Sequence, residues 1–113
     1  MKKRLLKKYW TCLSNVKLRV LAEQLLAIGQ AAPGYTAVLN GRFKGGHITR
    51  QYGNPAQGIH AVQLEMTQCS YMRESWPFNY LPEVAARVQQ HVRRMLEAVL
   101  AFVEASGRDV IQH

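Results

Sequence analysis

Val84, Val88, Val92, Met95, Val99 and Phe102 recur at spacings of four, four, three, four and three. An α-helix, with about 3.6 residues per turn, gathers such positions into one stripe, and an apolar stripe has to be covered by another element. Pro82 suits the first turn, where its missing N–H is no loss, and the pattern stops near Ser106-Gly107. The spacing predicts a helix over Pro82–Ser106 packed on a sheet, and with it a layered domain.

A second stripe, Val16, Val20, Leu21, Leu25 and Ile28, predicts a helix from Val16 to about Gln30, ended by Ala32-Pro33-Gly34. Tyr35–Leu39 is short, β-branched and aromatic, and reads as a strand; Asn40-Gly41 is a strong turn pair. His47–Tyr52 reads as a second extended segment, Gly53–Gly58 as a loop and Ile59–Met66 as a third strand. Residues 67–81 are irregular and hold Tyr71, Met72, Trp76, Phe78 and Tyr80. The order suits an α/β layer of about three strands with an N-terminal helix and a long C-terminal helix. Three strands and two helices leave a sheet face or edge bare, so the layer reads as part of a larger domain.

The 113 residues suit one small domain, and 48% hydrophobic content is enough for a core. The charge of +8 is unevenly spread. Residues 1–20 hold seven Lys or Arg and no acid, whereas residues 21–113 hold eight Lys or Arg against seven Asp or Glu. The division expected is therefore a basic N-terminal arm, residues 1–15, and a nearly neutral body, residues 16–113. A neutral body is a poor platform for phosphates, so nucleic acid is not the expected partner. Cys12 and Cys69 form no CxxC and read as free thiols in a reducing cytoplasm. Leu5-Leu6 is followed at once by Lys7-Lys8, so there is no secretory signal, and no run of apolar residues is long enough to span a membrane.

Alternation puts Ala61, Gln63 and Glu65 on one face of the third strand. A carboxylate beside an amide on an otherwise apolar strand points to acid/base chemistry or a metal. An edge strand with a solvated polar face explains the same pattern. Asn40-Gly41-Arg42-Phe43-Lys44-Gly45-Gly46 and then Arg50 bring glycine turns next to guanidinium forks that match carboxylates. That suits an acidic small molecule, and a hairpin with solvated basic residues is the plainer reading. It is not a P-loop, since GxxxxGK[ST] is absent. His47, His60, His91 and His113 form no HxH, HxxE or HExxH, so a complete zinc site is not expected within the chain. His91, beside Gln89-Gln90 and Arg93-Arg94, reads as solvated.

Val38–Gly46, then Ile48-Thr49-Arg50 and Tyr52-Gly53, resemble the VNGRFKGGYITRHYG signature of N-formylglutamate amidohydrolases (deformylases). His60–Met66 is similar to their HALQLEL strand, and Tyr71-Met72, Glu74, Pro77-Phe78 and Tyr80 to their YM-E-PF-Y stretch. The resemblance covers roughly residues 20–108. It implies a zinc-exopeptidase-like fold and hydrolysis of N-formyl-L-glutamate to formate and L-glutamate in histidine degradation. It further implies a divalent metal, zinc, in the complete enzyme, with Glu65 as the general base. Arg42, Arg50, Asn40 and Gln63 become the substrate-binding candidates.

The family's metal-binding histidine motifs lie upstream of the matched region, so no tightly bound metal is expected on this chain alone. Activity would then need a complementary N-terminal half or a homo-oligomer. His47 stands where Tyr is usual, and Gln51 where His is usual. The alternative reading is a non-catalytic basic module that contacts RNA or an anionic surface through residues 1–20.

Overall fold

The computed structural model describes residues 3–8, 16–40 and 51–111. Its elements in chain order are β1 (Lys3–Lys8), α1 (Val16–Ala31), β2 (Tyr35–Leu39), β3 (Gln63–Met66) and α2 (Pro82–Ile111). Short 3-10 turns lie at Pro55–Gln57 and Gln68–Ser70. Mixed helix and strand confirms the α/β class. None of the described helices is long and apolar enough to cross a membrane.

The sheet order is β2-β1-β3. β1 runs parallel to β2, with Lys3 opposite Tyr35 and Lys7 opposite Leu39. It runs antiparallel to β3, with Leu5 opposite Met66 and Lys8 opposite Gln63. The segment read as part of a basic arm, residues 1–15, thus contains the middle strand. β1, α1 and β2 make a β-α-β unit, in which a helix carries the chain back to start a parallel neighbour. Charge hid β1 from the sequence: KRLLKK has just two apolar residues and no alternation.

β2 alternates as expected. Tyr35 is buried, Ala37 and Leu39 are half-buried, and Thr36 and Val38 are exposed. Tyr35 joins Leu21, Leu25, Ala32, Val88 and Met95 in the core, with Leu64, Met66, Val92, Val99 and Phe102 packed against it. Leu18 and Ala22 extend the packing toward Leu39 and Val62. Both helices therefore press on one sheet face, and the stripe that predicted α2 is the stripe that α2 buries. The turn from α1 into β2 needs Gly34, whose φ of +82 is costly for residues with a Cβ; Tyr35 N–H closes it on the Ala32 carbonyl at 3.2 Å.

Several boundaries differ from expectation. β3 starts at Gln63 rather than Ile59, because Lys8 is the last β1 residue that pairs with it. Ile59 instead makes an isolated bridge to Asn54. Of the expected extended segment 47–52, Gln51 and Tyr52 are helical, and residues 47–50 lie outside the described residues. α2 continues through Gly107 to Ile111; one glycine costs a helix only about 1 kcal/mol and does not break it. His91 is buried at 9% exposure rather than solvated, because position 91 lies on the same helical face as the buried Val88 and Met95.

Candidate functional site

β3 supplies the candidate site. Leu64 and Met66 pack toward the helices, so alternation turns Gln63 and Glu65 to the opposite face. Gln63 Nε2 donates to Glu65 Oε1 at 2.7 Å, and both side chains are half-buried. A charge-assisted bond of this length holds one carboxylate oxygen in a fixed direction.

The register locates the rest. Leu6 pairs with Val38 on one side and Glu65 on the other, so Val38 and Glu65 share a face across β1. Two strand spacings separate them, roughly 10 Å. Lys7 pairs with both Leu39 and Leu64. Asn40, the next residue, therefore leaves the sheet at the level of Gln63. Its φ of +48 lies in the left-handed region, which Asn tolerates better than most residues. Among the candidate residues, the structure brings Gln63 and Glu65 into contact and puts Asn40 at their end of the sheet. Arg42 and Arg50, with Lys44 and His47 in the same signature, lie outside the described residues.

Among the described residues, no three His, Cys, Asp or Glu side chains converge on a point where a metal could sit. His60 precedes β3, although it falls inside the segment Ile59–Met66 expected as the third strand. Its ring packs edge-on against Phe102, with centroids 5.2 Å apart, and burial and Lys17 both push its pKa below the usual histidine value. Cys69 is a free thiol that donates to Thr67 Oγ1 at 3.5 Å, and Thr67 and Ser70 share a hydrogen bond at 3.1 Å. These bonds close the turn after β3 and bring no charged partner to the thiol.

Beyond β3 a tight loop links Tyr71 to Leu81. Arg73 N–H donates to the Asn79 carbonyl at 2.9 Å, and Leu81 N–H to the Tyr71 carbonyl at 2.8 Å. The loop presents Trp76 and Phe78 edge to face at 6.0 Å. Trp76 is 82% exposed and Tyr80 57%.

The comparisons with known proteins agree on one family. The family model described as N-formylglutamate amidohydrolase matches residues 11–72, which hold β2, Asn40, Gln63 and Glu65. An N-formylglutamate deformylase of Pseudomonas aeruginosa is 55% identical over 82 residues, covering 73% of this chain and 31% of the relative. One from Pseudomonas putida is 54% identical over 83 residues, covering 74% of this chain and 31% of its own length. The chain thus spans about a third of the length of these relatives. No solved structure matches. With more than half of its residues matched by the family model, the chain belongs to the N-formylglutamate amidohydrolase family.

Proposed function

We propose that this chain provides the catalytic strand and substrate-gripping residues of an N-formylglutamate deformylase, which hydrolyses N-formyl-L-glutamate to formate and L-glutamate. The observation that carries this reading is the Gln63–Glu65 bond at 2.7 Å, on a strand inside the segment matched by the family. Glu65 acts as the general base. It takes a proton from water as the water oxygen adds to the formyl carbon. The C–N bond then breaks, formate is released, and the proton passes to the amine nitrogen of glutamate. Gln63 orients the base, which matters because a misplaced carboxylate loses much of its effectiveness. Asn40, Arg42 and Arg50 hold the two carboxylates of the substrate, Arg as bidentate forks.

The described residues form no cluster of three side chains able to hold a metal ion. The divalent metal that the family resemblance implies, zinc, would be held elsewhere in the complete enzyme. We read the three strands and two helices as one layer of a zinc-exopeptidase-like domain, working in the cytoplasm in histidine breakdown. A complementary N-terminal portion or a second copy would complete the site. Lys3–Lys8 is backbone-paired on both edges, which argues against residues 1–20 as a free arm for RNA or an anionic surface.

The test is substitution at the position of Glu65 in a full-length relative. Replacing that glutamate by Gln should lower turnover by roughly 10²–10⁴ with substrate binding largely kept. Replacing the arginine at the position of Arg50 by Ala should mainly raise KM. Unchanged turnover in the glutamate variant would remove Glu65 from the mechanism. The 113-residue chain alone should release no formate, even with added zinc or cobalt.

A further inference from the structure

At the other end of the sheet from Asn40, a cavity of about 490 Å³ opens between the α1–β2 turn and α2. Its walls are Pro33, Gly34 and Tyr35 on one side, and Arg87, Gln90, His91 and Arg94 on the other. Tyr35 is opposite Lys3, at the start of β1, five residues before the level at which Asn40 leaves the sheet. This cavity is therefore separate from the Gln63–Glu65 pair.

Its lining holds two arginines and no acid. Arg87, His91 and Arg94 stand at i, i+4 and i+7, which puts all three on one face of α2. Arg93, on the neighbouring face, is within 4.0 Å of Glu97. Neither Arg87 nor Arg94 has a carboxylate partner among the described residues. Between them lies His91, with Nδ1 shut from solvent and without a hydrogen-bond partner among the described residues. A bare ring nitrogen is cheaper to bury than an N–H, so the proton of the neutral ring belongs on Nε2, where it is a donor. The Tyr35 ring meets His91 edge-on at 5.3 Å. Burial pushes the Tyr35 hydroxyl pKa up, against the nearby Arg87 charge, and burial and Arg94 both push His91 down. Both rings are thus neutral near pH 7, and the fixed charge of the cavity comes from the guanidinium groups.

We propose that this cavity binds a small organic diacid, one carboxylate on Arg87 and the other on Arg94, with His91 and Gln90 between them. Seven residues of helix separate the two arginines by roughly 10 Å along the axis. A compact anion meets both forks only if the two flexible side chains bend toward each other along the helix. A short-chain diacid can span them, through charge-assisted bonds of about 2.8 Å at each end. The volume falls within the roughly 300–1,000 Å³ range of small-molecule sites. The proposal does not depend on the catalytic reading of Glu65, and its test uses no turnover.

The test is titration of the purified chain with glutarate, butyrate and inorganic phosphate at one ionic strength, followed by calorimetry and by the His91 ring resonances. Glutarate should saturate one site and shift the His91 signals, binding at least about tenfold more tightly than butyrate or phosphate. Arg87→Ala and Arg94→Ala should each weaken glutarate about tenfold, toward the butyrate value. Arg87→Lys, which keeps the charge and loses the fork, should lie between. Arg93→Ala should leave binding unchanged. Equal binding of all three anions, tighter binding of phosphate, an equal loss in Arg93→Ala, or no saturable binding would each overturn the proposal.

Discussion

The two faces of β3 carry residues from the same four-residue strand and do opposite work. Leu64 and Met66 join a core shared with α1, β2 and α2. Gln63 and Glu65, one residue away in each case, bond to each other on the far side. The strand is half-buried along its whole length, so burial alone does not separate the faces. What separates them is the partner: hydrocarbon from two helices on one side, an amide and a carboxylate on the other. Stability should therefore respond to changes on the helix side, and chemistry to changes on the polar side.

The largest effect should come from a charge placed in the helix-side core. Val88 is 3% exposed in the middle of the α2 stripe. Val88→Asp should leave the chain unfolded by circular dichroism, since an unpaired buried charge costs several kcal/mol and a small domain has roughly 5–15 to lose. A folded, cooperative variant would mean that α2 is not essential to the core.

The contrast within β3 itself is sharper. Leu64→Ala should cost about 2 kcal/mol in urea unfolding, near the low end for buried leucines because the residue is half-buried. Glu65→Gln should cost less than about 0.5 kcal/mol, since an amide at 65 still accepts from Gln63. If the second change destabilises as much as the first, the polar face is structural and the catalytic reading of Glu65 loses its basis.

Acid should act from the helix side. His60 and His91 both have pKa values lowered in the folded chain, chiefly by burial. The unfolded chain therefore binds more protons, and the stabilisation is present above the unfolded value of about 6.5 and is lost as pH falls through it. The melting temperature should drop between pH 7.5 and 5.5, and His91→Gln should flatten that slope. An unchanged slope in His91→Gln would show that His91 takes no part in it. Arg94 beside His91 and Lys17 beside His60 act in the same direction as burial. The smallest effect belongs to the outer side of α2. Leu96 is 64% exposed, so Leu96→Glu should move stability by no more than about 0.5 kcal/mol.

Much of this was legible because apolar periodicity marks a helix, although in α1 Val16 and Val20 are exposed and Leu18 and Ala22 are buried in their place. The valine, methionine and phenylalanine spacing fixed α2 and the side it buries, and Val16 to Ile28 located α1 to within a residue. Gln63 and Glu65 could be put on one face by alternation alone. The cavity beside Arg87 and Arg94 was not legible, because its other wall is the α1–β2 turn some fifty residues earlier. His91 was misread for a related reason: its neighbours in sequence are polar, and its neighbours in space are Tyr35 and the core.

The two helices, the β2 strand, the polar pair on β3 and the family could all be read from the order of residues alone. These are properties of short segments, where side-chain spacing and residue type act locally. That Lys3–Lys8 is the middle strand, that β2 and β3 flank it with opposite polarity, and that Val38 and Glu65 share a face across it emerged from the fold. The reason is physical: strand pairing is made by backbone N–H and C=O groups, which every residue but proline offers alike. A charged segment can therefore enter a sheet without an apolar pattern to announce it, once its neighbours supply edges with the right register.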